Sequence, residues 1–262
     1  MRATNFDFMK KNLLIISTVM ALALTPAFAQ FGPHAGAPGP SFGGATSKLF
    51  GDNQSFTAAL EFQTSGGNGG DITMPGKISF DGGKARFEMN MSEMKGSQMP
   101  ASAAEHLKAM GMDTMVSISR PDTKRVYLVY PGLNSYAEMT PQDTSDSASP
   151  DDFKSETEKL GTETVDGHDC VKNKVTMTDK DGNKHVSTVW NATDLKNFPV
   201  KIVTAEQGNN ATMLFKNVSF AKPAASAFEP PTGFTKYDNV QTMMQTEMMK
   251  KMGGLGVPPQ QN

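Results

Sequence analysis

Apolar residues recur at every second position over 55–64, where Phe56, Ala58, Leu60 and Phe62 alternate with Thr57, Ala59, Glu61 and Gln63. That period of two predicts a strand with one apolar face. The same rhythm returns over 77–80 and 84–91. In the latter, Ala85, Phe87, Met89 and Met91 share a face opposite Lys84, Arg86, Glu88 and Asn90. Further extended segments are predicted at 115–120, 125–130, 136–139, 200–205 and 211–220, with turns at Asp81-Gly82-Gly83, at Pro121-Asp122 and at 207–210. Between Cys170 and Trp190 the pattern predicts a hairpin turning at Asp181-Gly182. Val171, Val175 and Met177, together with Val186, Thr188 and Trp190, are expected on its apolar face. Cys170 is expected on the wet face with Lys172 and Lys174.

Helical signals are few and short. Pro100 before 101–110 and Gly111 after it predict a helix inserted between strands. A brief helix is expected at 153–160 and a helical turn at 192–197. A final helix over 238–252 would be capped by Asp238, gather Val240, Met243, Met244, Met248 and Met252 on one arc, and end at Gly253-Gly254. Strands do not alternate with full-length crossover helices, so a doubly wound fold fits the pattern less well. The expected architecture is mainly β: a curved antiparallel sheet or half-open barrel with a few short helices covering one mouth.

The ends of the chain read differently. Arg2, Lys10 and Lys11 precede an apolar run over 13–24, and Ala27-Phe28-Ala29 stands before Gln30, so residues 1–29 are expected to be a signal peptide. The run is short for a membrane span. Residues 30–49, rich in Gly, Pro and Ala, are expected to be a flexible leader. A single β-rich domain is expected over 50–252, with a mobile acidic loop at 141–152 and the C-terminal helix at 238–252, followed by a disordered tail over 253–262. The expected location is the periplasm or the medium outside the cell. The formal charge of −2 becomes −4 when the signal's three cations and Asp7 are removed, which argues against a nucleic-acid partner. One cysteine, Cys170, cannot form an internal disulfide.

No catalytic motif stands in its required setting. Gly39-Pro40-Ser41-Phe42-Gly43 matches a nucleophile elbow in letters but lacks the strand and helix that strain the serine. The glycines over 66–70 are followed by no Gly-Lys-Ser/Thr. Asp179, Asp181 and Asn183 begin like a calcium loop, but Lys184 replaces its glycine and Trp190 its bidentate glutamate, so they predict a turn. His106 stands on its helix without a second ligand one turn away. Asp166, His168, Asp169 and Cys170 are neighbours whose side chains alternate between faces, and are expected to be a polar cluster at the hairpin edge.

Several landmarks carry a resemblance: GKISFDGGKARFEM (76–89), ISRPDTKRVYLVYPGLNSY (118–136), GTETVDGHDCVKNKV (161–175), VWNATDLKNFPVKI (189–202) and FKNVSFAKPAASAFEPPTGF (215–234). Over most of 50–236 the chain resembles an uncharacterised family of exported bacterial domains of unknown function, itself similar to the periplasmic lipoprotein carriers (LolA-like). The resemblance implies an open half-barrel, lined with apolar side chains and lidded by helices, that shelters acyl chains. No residue matches a carrier's partner-docking site.

Methionine is abundant, at 19 residues. Thioethers fill cores, meet apolar ligands of variable shape and bind Cu(I). The expected function is therefore a non-enzymatic binder of a lipid or other apolar ligand or partner, without a cofactor. Phe56, Leu60, Phe62, Phe87, Met89, Met91, Trp190, Met244 and Met248 are its candidate contacts. Alternatives are a Cu(I) site at Met89, Met91 and Met94, and a structural envelope protein with a filled core.

Overall fold

Alternating strands fold here into one twelve-stranded sheet. The computed structural model describes residues 42–65, 71–96, 101–140, 149–206 and 209–254. The expected signal, the beginning of the leader, the 66–70 turn, loop residues 141–148, Gln207-Gly208 and the tail from 255 onward lie outside the described residues. A first meander runs through β1 (Ser55–Ser65), β2 (Ile72–Asp81), β3 (Lys84–Asn90), β4 (Thr114–Arg120), β5 (Arg125–Tyr130) and β6 (Ser135–Met139). A second runs through β7 (Lys154–Val165), β8 (His168–Thr178), β9 (Lys184–Ala192), β10 (Phe198–Glu206) and β11 (Asn209–Ser219). Strand β11 returns to pair with β1, and β12 (Thr235–Tyr237) adds to β6 in parallel, which makes the sheet mixed. It is unclosed, with β12 at one end and β7 at the other. Edge strand β7 carries Lys154, Glu156, Glu158 and Lys159 and a register break before Gly161, features that discourage pairing with another chain.

The inner face holds the main core. Phe56, Phe80, Phe198 and Phe215 converge on Phe50, whose ring centroid lies 4.8–5.8 Å from each of theirs. All five are at most 1 % exposed. Phe50 directly follows α1 (Gly44–Leu49). This helix corrects the expected leader at its last residues: Gly44, Ala45, Thr46 and Ser47 carry no apolar period. Phe42 and Phe50, buried on either side, hold the helix against the sheet. Lys48 then donates to the carbonyls of Pro150 (3.1 Å) and Phe153 (2.5 Å), fastening the chain that enters β7.

The expected helix at 153–160 is instead the start of β7, which pairs with β8 from Lys154 to Val165. Its side chains are exposed along almost the whole strand, so no apolar stripe would dock a helix, whereas the ladder satisfies its backbone. Helix α2 (Ala101–Met110) forms as expected. Gly111 leaves it at φ +72°, and the Met112 N–H bonds the Leu107 carbonyl. Helix α3 (Val240–Gly254) also forms, but its cap is Asn239, which accepts from the Thr242 N–H at 2.7 Å, and not Asp238. On the outer face Phe228 covers Val116, Ile118 and Val129 in a second, smaller core.

Candidate functional site

The nine expected contacts fall into three places. Phe56 is inside the aromatic cluster, and Leu60 and Phe62 continue its face along β1. Phe87 and Met89 are buried on the same face of β3; the Phe87 ring lies over Gly76, where an added Cβ would come within 2.6 Å of it. Met91 was expected to extend that face. It begins instead a 3-10 turn, Met91–Glu93, and is partly exposed together with Met94. Met244 packs partly buried against the inner core, and Met248 is half-exposed one turn later on α3.

Trp190 is the clear correction. The strands leave their turn at Thr178 and Lys184, because Asp179 accepts from the Asp181 and Asn183 N–H groups at 2.9 and 2.8 Å and draws five residues into it. Met177 therefore faces His185, Val175 faces Ser187, and Trp190 faces Lys172. The slip of one residue against the expected pairing puts Trp190 on the face opposite Val175 and Met177. There the ring lies under Lys172 and Lys201, 4.9 and 4.6 Å from its centroid, and its N–H donates to Glu163 at 2.9 Å. It is a buried strand-to-strand fastener rather than an inward contact.

Cys170 was expected on an accessible wet face. It is 2 % exposed, because Thr193 bonds the Asp169 carbonyl through both N–H and Oγ1 and draws the β9–β10 turn over this end of the hairpin. Burial pushes its thiol pKa up. Beside it, His168 pairs with Asp194 at 2.7 Å, and a cleft of about 530 Å³ is lined mainly by Thr162, Glu163, Thr164, Asp169 and Thr193. Among the described residues no group of His, Cys, Asp and Glu is arranged to hold a metal ion.

The inner face differs along its length. At the aromatic end it is sealed. Towards β3–β6 it is lined by Met89, Met112, Met115 and, from α3, Met243, while Met91, Met94, Met110, Met139 and Met244 pack against it and remain partly exposed. Helix α3 is fixed beside this end through Glu247, a carboxylate inside the fold that accepts from Ser135 Oγ (3.0 Å), the Tyr237 hydroxyl (2.6 Å) and Lys250 Nζ (2.8 Å). Burial disfavours its charge, but these three donors together hold its pKa below the usual carboxylate range. Sequence reading missed Glu247, because its partners come from β6, β12 and α3. It also missed Ser117, Ser119 and Tyr130, which stand on this inner face.

The chain belongs to the family described as a domain of unknown function (DUF4412), whose model matches residues 56–198. Among curated proteins none matches it. Solved structures it is similar to include a LolA superfamily protein from Nitrosomonas europaea, at 9 % identity and a TM-score of 0.38, covering 71 % of this chain and 94 % of that one. The lipoprotein LppX from Mycobacterium tuberculosis is similar at 10 % identity and a TM-score of 0.39, covering 66 % and 92 %. LprF from Mycobacterium bovis is similar at 13 % and 0.39, covering 72 % and 94 %. A family of domains of unknown function is what the sequence landmarks led us to expect.

Proposed function

We propose that this chain is an exported, non-enzymatic protein, periplasmic or secreted, that shelters an apolar ligand or partner against the methionine-lined part of its inner face. The observation that carries the reading is the unsealed rim. Apolar thioethers at Met91, Met94, Met110, Met139 and Met244 lie against the core and still meet solvent. Flexible thioethers adapt to guests of varied shape, and covering them removes apolar surface from water at about 25 cal/mol per Å². Residues 1–29 act in this reading as the export signal, removed before Gln30. Of the expected contacts, Phe87, Met89, Met91, Met244 and Met248 belong to this part, whereas Phe56 serves the sealed end and Trp190 the other face.

Titration of wild type and a Met89→Leu/Met91→Leu double variant with a fluorescent fatty-acyl probe and, separately, with Cu(I) tests the proposal. The probe should bind both proteins with similar affinity, because Leu keeps the apolar volume. Loss of a tight Cu(I) site in the variant, with no probe binding in either protein, would replace this reading with the copper one. Binding of neither by wild type would leave a structural role.

A further inference from the structure

Strand β4 places two neutral hydroxyls, and β5 a third, on an otherwise apolar surface. Ser117 lies between Phe87 on β3 and Leu128 on β5, and Ser119 lies between Ala85 and Val126. Those four neighbours are only 2–4 % exposed, yet both serines remain partly exposed. Solvent therefore reaches the inner face at β4 while it is excluded from the strands on either side. Tyr130, next along the inner face of β5, is 5 % exposed, and burial pushes its phenol pKa up to about 12, so it stays neutral. Among the described residues no buried side-chain oxygen lacks a hydrogen-bond partner, so a hydroxyl of this face that bonds no protein group is open to solvent and to a guest.

The charges of these strands point the other way. Register places Arg86 opposite Ile118, Glu88 opposite Val116 and Arg120 opposite Arg125, all on the outer face with Phe228. No cation of β3, β4 or β5 faces the serines. A carboxylate brought there would lose its water without gaining a counter-charge, whereas a neutral carbonyl would gain a hydroxyl donor and keep its chain on apolar surface.

We propose that the ligand of this face is a neutral long-chain acyl ester rather than a fatty-acid anion, its carbonyl oxygen accepting from Ser117, Ser119 or Tyr130. This specificity rests on the reading of the inner face as an apolar binding site. The three hydroxyls act as its polar selectors.

The test compares methyl hexadecanoate, hexadecanoate at pH 8 and hexadecane on wild type, on the Ser117→Ala/Ser119→Ala double variant and on Tyr130→Phe. Wild type should bind the ester at least about tenfold more tightly than the anion, the difference made by roughly one good hydrogen bond plus an avoided charge burial. Ester affinity should fall about three- to tenfold in the variants while hexadecane affinity is unchanged. Circular dichroism and Tm identify variants that fold normally. Equal or tighter binding of the anion by wild type, or unchanged ester affinity in both folded variants, would overturn the proposal while leaving apolar binding intact. Failure of all three probes to bind wild type would overturn both this inference and the reading it rests on.

Discussion

The two ends of one apolar face are built from different side chains and do different things. Phe50 and the four rings around it pack tilted, stacked or edge-to-face and shut out solvent. Around Met89 and Met115 the lining is thioether, hydroxyl and a helix held by one carboxylate. Rings with two torsions specify a single packing, whereas methionines with three tolerate many. The aromatic end therefore stabilises the sheet, and in the proposed reading the methionine end is the part that accepts a guest.

The largest effect that would break this contrast is at Phe50. Phe50→Ala removes the ring on which four others converge and should cost about 3–5 kcal/mol, against less than about 1.5 kcal/mol for Met89→Leu. Thermal unfolding would register the first as a fall on the order of 10 °C in Tm and the second as a few degrees at most. Equal losses would mean that the two ends share one tightly specified core.

A smaller effect, confined to the methionine end, is expected at Glu247. Glu247→Gln keeps the shape but loses the charge that Lys250, Tyr237 and Ser135 recognise, at a cost of about 1–3 kcal/mol in the docking of α3. Because the folded-state pKa lies below the unfolded one, this contribution is complete above the ordinary carboxylate value of about 4.3 and fades as the pH falls through the folded value. Hydrogen exchange of α3 should accelerate at acid pH in wild type and be fast at neutral pH in the variant, with β1 and β11 unchanged. Acceleration in those strands too would show that α3 and the aromatic end unfold together.

Much of this was legible in the chain. Strands such as 84–90 bury one side and wet the other, so period two shows them directly. Illegible features arose where both sides of a strand are covered or where a turn sets the register. Val116 and Ile118 are more apolar than Ser117 and Ser119, so alternation alone would turn the serines to solvent. Phe228, distant in sequence, covers the valine and isoleucine instead, and the serines face inward. The hairpin turn was placed correctly, but its length was not readable from Asp181-Gly182, and that single residue moved Trp190 to the other face. Helix α1 has almost no apolar period and is held by the phenylalanines flanking it.

Cys170 offers the finest test, because its ladder row joins the aromatic end: it pairs with Ala192, which pairs with Phe198. Its thiol is buried, donates to the His168 carbonyl and has a raised pKa, so both access and thiolate fraction are low. A thiol reagent at pH 8 should label native protein much more slowly than protein unfolded in denaturant. Glu247→Gln should leave that protection intact, since it loosens only α3, while Phe50→Ala should shorten it by weakening the cluster around Phe198. Rapid labelling of native wild type would show that the β9–β10 turn does not stay closed over the hairpin. Equal deprotection by both variants would erase the distinction between a sealed end and an adaptable one.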